Sequence, residues 1–500
     1  MEIKSSVATK SDSEFHNPFY QVSDYQQFKI SKSHEELRVG LRANLLTFLS
    51  NFASVFQCGK RNNSHIANEL VHGLFCASRG ERNLERINEQ THSGTSAAHY
   101  QKLQHFITHS PWDSNSLMNK IAKRASDSFE NWEDTAYIID EKAHLKKGKH
   151  SVGVDNQYAG TVGKTENCQV GVYSALVNGK YATPINTRLF LSKNWIKDKA
   201  RCQKAKIPKS KRIHKTKQQL ALEMIKEDLG QGIRFGWVGG DALYGHGYEL
   251  SQEIENLGQN FVFDVHKDQP VYLTKPIISL PKNKKTGRPH TRPVSNIKPI
   301  EVRDYVAKLK SGDFQEIIVR KTPKGYLKYN VHVVKVWTWI APSYREKGQS
   351  DAKERTLIIR KNKTGATKTK PKYSLTNIAI EDATIERFAY MQAQRFWIEK
   401  SFKDNSKDIG MSDYQIRKYN SWYHYQAITM LAMLFAMEEQ IRNKDNLPLL
   451  SHRDIKLLVH ILFTDNTMKR IQLTIQQMLY RHRQRQKDID RYYTKSNVTK

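Results

Sequence analysis

Three observations predict a mixed α/β fold for this chain. From residue 135 onwards, short apolar runs bounded by turn residues read as strands. Segments of helical periodicity alternate with them in the order βββαβαβ, and a separate block of helices comes before them. At 500 residues there is room for one large domain with appendages, or for two to three ordinary domains.

Residues 1–36 are expected to form a flexible N-terminus. MEIKSSVATKSDSEF has no basic patch followed by an apolar core, so it does not read as a secretory signal. Residues 37–130 read as an N-terminal helical domain, because LRANLLTFLSNFASVF, HIANELVHGLF and SAAHYQKLQHFI repeat apolar residues every three or four positions. Ser110-Pro111 is expected to cap and open a further helix. In SRGERNLERINEQ, Arg79, Arg82 and Arg86 would share one helical face. That face suits phosphates, or it is a solvated surface laced with Glu81 and Glu85.

Residues 131–267 hold TAYIID, QVGVYSALV, a turn at Asn178-Gly179 and TRLFLS, read as three strands with a hairpin. The helix QQLALEMIKEDLG, the strand FGWVGGD, the helix HGYELSQEIENLG and the strand FVFDV follow. Residues 268–375 read as a β-rich insertion, with EIIVRK, YLKYNVHVVKVW, TLIIRKN and KYSLTN as its apolar runs. Residues 376–445 carry two long helices, expected at about Glu381–Asp404 and Ser421–Asn443, and residues 446–500 form a basic helical tail. The run AITMLAMLFAM, about half the length a bilayer needs, is expected to be a buried helix rather than a membrane span.

Lys and Arg number 81 against 50 for Asp and Glu, a formal charge of +31 spread along the chain. Such an excess points to a polyanionic partner, nucleic acid first. Two loops, residues 203–215 and 276–298, are strongly basic. Four scattered cysteines without a CxxC pair, and no HExxH, indicate neither a disulfide framework nor a zinc site, and suit a reducing cytoplasm. Gly163-Lys164-Thr165 ends like a phosphate loop, but Tyr158 stands where that loop needs its first glycine. Nucleotide hydrolysis is therefore not expected.

Asp140 follows YII and Asp241 follows WVGG, so each is expected at a strand end, where a crevice can form. Phosphodiester cleavage without a protein nucleophile uses two divalent cations, and carboxylate oxygens suit Mg²⁺. Taken singly, an Asp after a strand more often caps a helix or makes a turn. Glu399 lies four residues after Arg395 on a helical stripe, which an exposed ion pair would explain equally well. His246 reads as a solvated helix-opening residue, and Trp397 and Trp422 as core.

The segments IIDEKAHLKKGKHSVGV, QYAGTVGKTENCQVGVYSALV, GGDALYG and RFWIEKSFKDNSKDIGMSDYQIRKYNSWYHY, in this order, resemble the DDE transposases of bacterial insertion sequences, in particular the seven-hundred-one family group. The resemblance runs from about Leu45 to Met437. It implies a ribonuclease H-like catalytic domain interrupted by the β-rich insertion, preceded by the helical domain as a DNA-binding unit and followed by the basic tail. It groups Asp140, Asp241 and Glu399 as catalytic, metal-binding acids holding two Mg²⁺, for which Mn²⁺ can substitute. Its partners would be double-stranded DNA, both terminal inverted repeats and target, on which a homodimer or larger assembly forms.

Relatives with an inserted β-domain carry Tyr-x2-Arg-x3-Glu-x6-Lys. Arg395 and Glu399 match its middle, whereas Gln392 and Ser406 occupy the outer positions. Arg395, Lys403 and Lys407 are the expected DNA contacts near the site, with Arg79, Arg82 and Arg86 further off. The alternatives are a regulator that kept the scaffold and lost catalysis, and a ribonuclease H-like nuclease that cuts without joining.

Overall fold

A computed structural model of the chain describes residues 34–78, 80, 82–91, 97–281, 292–322, 325–341, 351–362, 370–464 and 468–498. The expectation for residues 1–36 lies outside the described residues except at its last three, which open the first helix. Arg79 lies outside them as well.

Strand β1, Ala136–Leu145, buries its first four residues completely, which is why that run is apolar on both faces of the pleat. Asp140 therefore sits in mid-strand, and not at the strand end that the sequence suggests. Strand β2, Asp155–Ala159, is one that the sequence does not announce: DNQYA carries no apolar alternation. Strand β3, Lys164–Asn178, turns at Asn178-Gly179 into β4, Tyr181–Leu189, and pairs with it from Asn178↔Tyr181 onwards. Gly179 has φ +59°, the left-handed conformation that a two-residue hairpin needs.

Strands β5, Trp237–Gly240, and β6, Phe261–Val265, lie parallel to β1 and to each other. The inserted strands β7 (Gln315–Thr322), β8 (Gly325–Thr338), β9 (Lys353–Asn362) and β10 (Lys372–Thr376) continue the same sheet, because β10 pairs antiparallel with β6. Among the described residues this makes one ten-stranded sheet in the order β7-β8-β9-β10-β6-β5-β1-β3-β2, with β4 also on β3. The insertion adds a small core of its own, around Val271, Val302, Val336 and Leu357.

The N-terminal helices are α1 (His34–Ser50), α2 (Ser64–Cys76), α3 (Leu84–Thr91), α4 (Ala97–Thr108) and α5 (Ser114–Asp127). Ser110-Pro111 does not open α5. Asp113 caps it instead, accepting from the backbone N–H groups of Asn115 and Ser116, while the preceding Trp112 is buried against His424. Helix α6, Lys217–Gly230, begins with a capping box between Thr216 and Gln219. A short turn of helix α7, Ala242–Gly245, and α8, Glu249–Asn256, link β5 to β6.

The expected helix at Glu381–Asp404 is broken in two: α9, Ile385–Ala393, and α10, Arg395–Asp404, meet at Gln394, where i→i+3 hydrogen bonds tighten the turn. Helix α11, Tyr419–Arg442, follows, then α12, His452–Thr464, and α13, Met468–Val498. The whole run Ala427–Met437 is buried, because α11 is surrounded by the sheet on one side and by the N-terminal helices on the other. Phe435 meets Phe48 and Phe75 there, so helices and sheet share one hydrophobic core. No helix among the described residues is long and apolar enough to cross a membrane.

Side-chain parity sets the two faces of the sheet. Tyr173 of β3 points to α10 and α11, touching Phe402 and donating to Gln426 Oε1 at 3.0 Å. Its neighbour Ser174 points to α6, whose Asp228 also accepts from Tyr137 and Asn186.

Candidate metal centre

The pairing of β1 with β5 ends at Ile138↔Gly239, and beyond it β1 runs on against β3 alone. The crevice so opened lies at the carboxyl ends of the parallel strands. Asp140 stands opposite Tyr173 and shares its face, toward α10, whereas Glu141 faces α6. Asp241 follows the last residue of β5 and caps α7, its Oδ1 accepting from Leu243 N–H at 2.9 Å. The cap and the site acid are thus one and the same carboxylate.

Asp140, Glu141 and Asp241 each place one carboxylate oxygen within 4.8 Å of the others. Burial pushes Asp140 up to about 8; Arg395 opposes the shift, and Asp241 and Glu141 add to it. Burial, with Glu141 next, also raises Asp241. Clustered acids of this kind repel one another when all are ionised, and a divalent cation removes that repulsion. The donor set, hard oxygens only, fits Mg²⁺ or Mn²⁺.

Sequence reasoning misses Glu141. Its oxygens accept from Lys217 Nζ at 2.9 Å and from the Tyr244 hydroxyl at 3.1 Å, so its charge already has a partner. Glu399 lies outside the tight cluster and its side chain is 51% exposed, yet it is not remote. The Arg395 guanidinium joins it at 2.8 Å, with Asp140 Oδ2 at 3.9 Å from the same nitrogen. One guanidinium therefore separates Glu399 from Asp140.

Arg395 also donates from Nε to Asp264 Oδ2 at 3.1 Å. Ser374 donates to the other oxygen of Asp264 at 2.6 Å, and Gln392 donates to Ser374 Oγ at 2.8 Å. Gln392, where the resemblance implies a tyrosine, is buried and reaches Asp264 only through Ser374. Asp264 is legible in principle, as a lone acid on the apolar strand next to β5. Arg395, expected to touch DNA, is occupied by carboxylates.

The remaining expectations separate. Lys403 is exposed in the last turn of α10, and Lys407 is exposed in the turn that follows it. Arg86 is exposed and pairs with Glu89 at 2.7 Å. Arg82 must be corrected: it precedes α3, its side chain is fully buried, and it donates to Leu74 O at 3.0 Å and to Asp413 at 3.2 Å. It ties the helical region to the segment before α11 and presents nothing to a phosphate. Arg82→Ala is expected to cost about 3–5 kcal/mol, since it leaves a carboxylate without its buried partner. Denaturant unfolding will show a lower midpoint, whereas the salt dependence of DNA binding will stay as in the wild type. His246 is exposed at the end of α7, and Trp422 is fully buried. No helix follows Thr165, which lies inside β3, so no phosphate loop exists there.

The profile described as DDE superfamily endonuclease matches residues 54–325, more than half of the chain. The matched span includes Asp140 and Asp241 and stops before Glu399. The chain is also similar to the "Probable transposase for insertion sequence element IS701" of Microchaete diplosiphon, with 28% identity over 174 residues. That alignment covers 35% of this chain and 42% of the relative's own length. With Asp140 and Asp241 gathered in a cation-ready crevice on a mixed sheet, and a match across most of that sheet's core, the chain belongs to the DDE superfamily of endonucleases.

Proposed function

We propose that the protein is a DNA transposase of an insertion sequence, acting in the bacterial cytoplasm on the terminal inverted repeats of its element and on target DNA. The observation that carries this reading is the convergence of Asp140 and Asp241 in one crevice, with Glu399 held beside Asp140 by Arg395. The strands β1, β3, β4, β5 and β6 would form its ribonuclease H-like core, with residues 268–375 as the insertion.

Asp140, Asp241 and Glu399 would hold two Mg²⁺, or Mn²⁺ in their place. When bound, the cations activate the attacking oxygen and stabilise the leaving one. The rest is positioning by the chain. Arg395 fixes Asp140 and Glu399 side by side and moderates their repulsion, and Asp264 fixes Arg395. At the element's end, water attacks the phosphorus, the bond to the 3′ oxygen breaks, and the freed 3′-hydroxyl then displaces a 3′ oxygen of target DNA. No protein side chain becomes covalently attached.

We take Glu399 as the third acid because Arg395 holds it beside Asp140, whereas Glu141 already accepts from Lys217 and Tyr244. Glu141 sits on the opposite strand parity from Asp140, toward Lys217 and Tyr244. Glu399→Gln is therefore expected to slow cleavage about a thousandfold, and Glu141→Gln by no more than about tenfold. Incubating each variant with terminal DNA of the element and Mg²⁺ measures this. Joined products from the wild type support transposition; nicks alone would make the protein a nuclease, and shifted but uncut DNA a regulator. A larger loss for Glu141→Gln would move the third ligand to that residue.

A further inference from the structure

The connection from β4 to α6, residues 190–216, holds none of the proposed metal ligands. Strand β4 runs parallel to β1, since both are antiparallel to β3, and its last residue Leu189 pairs with Gly171, the same residue that Lys142 of β1 faces. The connection thus leaves the sheet at the edge that carries Asp140. It re-enters through Lys217, whose ammonium touches Glu141.

Its charge is lopsided. From Leu191 to Lys217 there are eleven Lys and Arg residues and one acid, Asp198, which is engaged in capping a short helix at Lys199–Lys204. Seven of the lysines are exposed, Lys206, Lys209 and Lys211 among them. The nearest acids of α6 are already paired, Glu223 with Lys215 and Glu227 with Arg188.

The segment is firmly anchored. Trp195 is fully buried and donates its indole N–H to Val154 O at 2.7 Å, and Arg201 stacks over that ring at 3.9 Å. Cys202 and Ile207 are buried, and Tyr419 N–H donates to Ala205 O at 2.9 Å. Apolar residues thus face inward and lysines outward. Lys206 has φ +56°, a left-handed conformation that a side-chain-bearing residue seldom adopts. It comes within electrostatic reach of Lys418 and His109, and Lys418 donates to His109 Nε2 at 2.7 Å. Cations held together on a rigid surface are stabilised by a polyanion laid across them.

We infer that residues 193–211 are a platform for duplex DNA, gripping backbone phosphates next to the metal centre without reading bases. The inference rests on the proposed function, because it takes the same DNA as the substrate of that site. Lysines act as point charges on flexible stems, which suits phosphates rather than the bidentate reading of base edges.

The test is fluorescence anisotropy of the full chain with a short duplex of arbitrary sequence, titrated across salt without divalent cation. The triple variant Lys206→Gln, Lys209→Gln, Lys211→Gln is compared with a charge-matched control, Lys298→Gln, Lys308→Gln, Lys310→Gln. Removing one lysine from a phosphate lowers the slope of log K against log salt by about 0.9. The platform variant should lose roughly two to three units and the control less than one. Because Lys206 is conformationally strained, Lys193→Gln, Lys197→Gln, Lys199→Gln provides a second variant on the same surface, with the same expected loss. Equal slopes for platform and control variants would overturn the inference. Wild-type protein that binds through the platform and never cuts terminal DNA would leave the platform standing and remove the catalytic reading.

Discussion

Asp241→Asn protein is expected to bind terminal DNA as tightly as the wild type and to cut it at least about a thousandfold more slowly. The contrast follows from the two jobs of that side chain. As a cap it needs only Oδ1 to accept from Leu243 N–H, and an asparagine oxygen does so equally well. As a ligand it needs a full negative charge, which asparagine lacks, in a cluster whose other carboxylates lie within 4.8 Å. Single-turnover cleavage of labelled terminal DNA in Mg²⁺, and again in Mn²⁺, measures the loss. Calorimetric titration with Mg²⁺ should show weakened binding in parallel. A cleavage rate within tenfold of the wild type would place the chemistry elsewhere on the chain.

What can be read from the sequence is whatever depends on local periodicity. The apolar run at Ala136–Ile139 and the Asn178-Gly179 turn specify β1 and the hairpin because burial on both faces and a left-handed turn each leave a local mark. Strand β2 leaves no such mark, since in DNQYA only the final Ala159 is buried and the four residues before it alternate between half-buried and exposed. Arg82 misleads for a different reason: its partner Asp413 is 331 residues away, and no local pattern reveals an ion pair closed by the fold. The same limit hides Glu141 and Asp264. Each finds its partners only because Lys217, Tyr244, Ser374 or Arg395 arrives from a distant segment. The resemblance supplies Glu399, which spacing alone leaves as an ordinary helical ion pair; that its partner Arg395 also comes within 3.9 Å of Asp140 is a contact that no spacing reveals.

The glycines of GGDALYG show how close packing, as much as charge, makes the crevice. An added Cβ at Gly239 would lie within 3.0 Å of the Ile138 side chain, at its far end and not at backbone. At Gly245 the added atom would fall well inside 3.0 Å of the Asp264 carbonyl oxygen, which is backbone of β6 and cannot rotate away. Gly245→Ala must therefore push α7 off β6, and α7 is the turn that Asp241 caps while Asp264 is the anchor of Arg395. The expected cost is about 2–4 kcal/mol in stability, from overpacking against an unyielding partner. Cleavage should fall by about a hundredfold or more, because displacement of a reacting geometry by about 1 Å has that effect. The two losses are separable: at a temperature where circular dichroism shows the variant folded, DNA binding should persist while single-turnover cleavage stays depressed. Wild-type cleavage in the folded variant would mean that α7 shifts without carrying Asp241 along, and that the close approach of α7 to β6 serves stability alone.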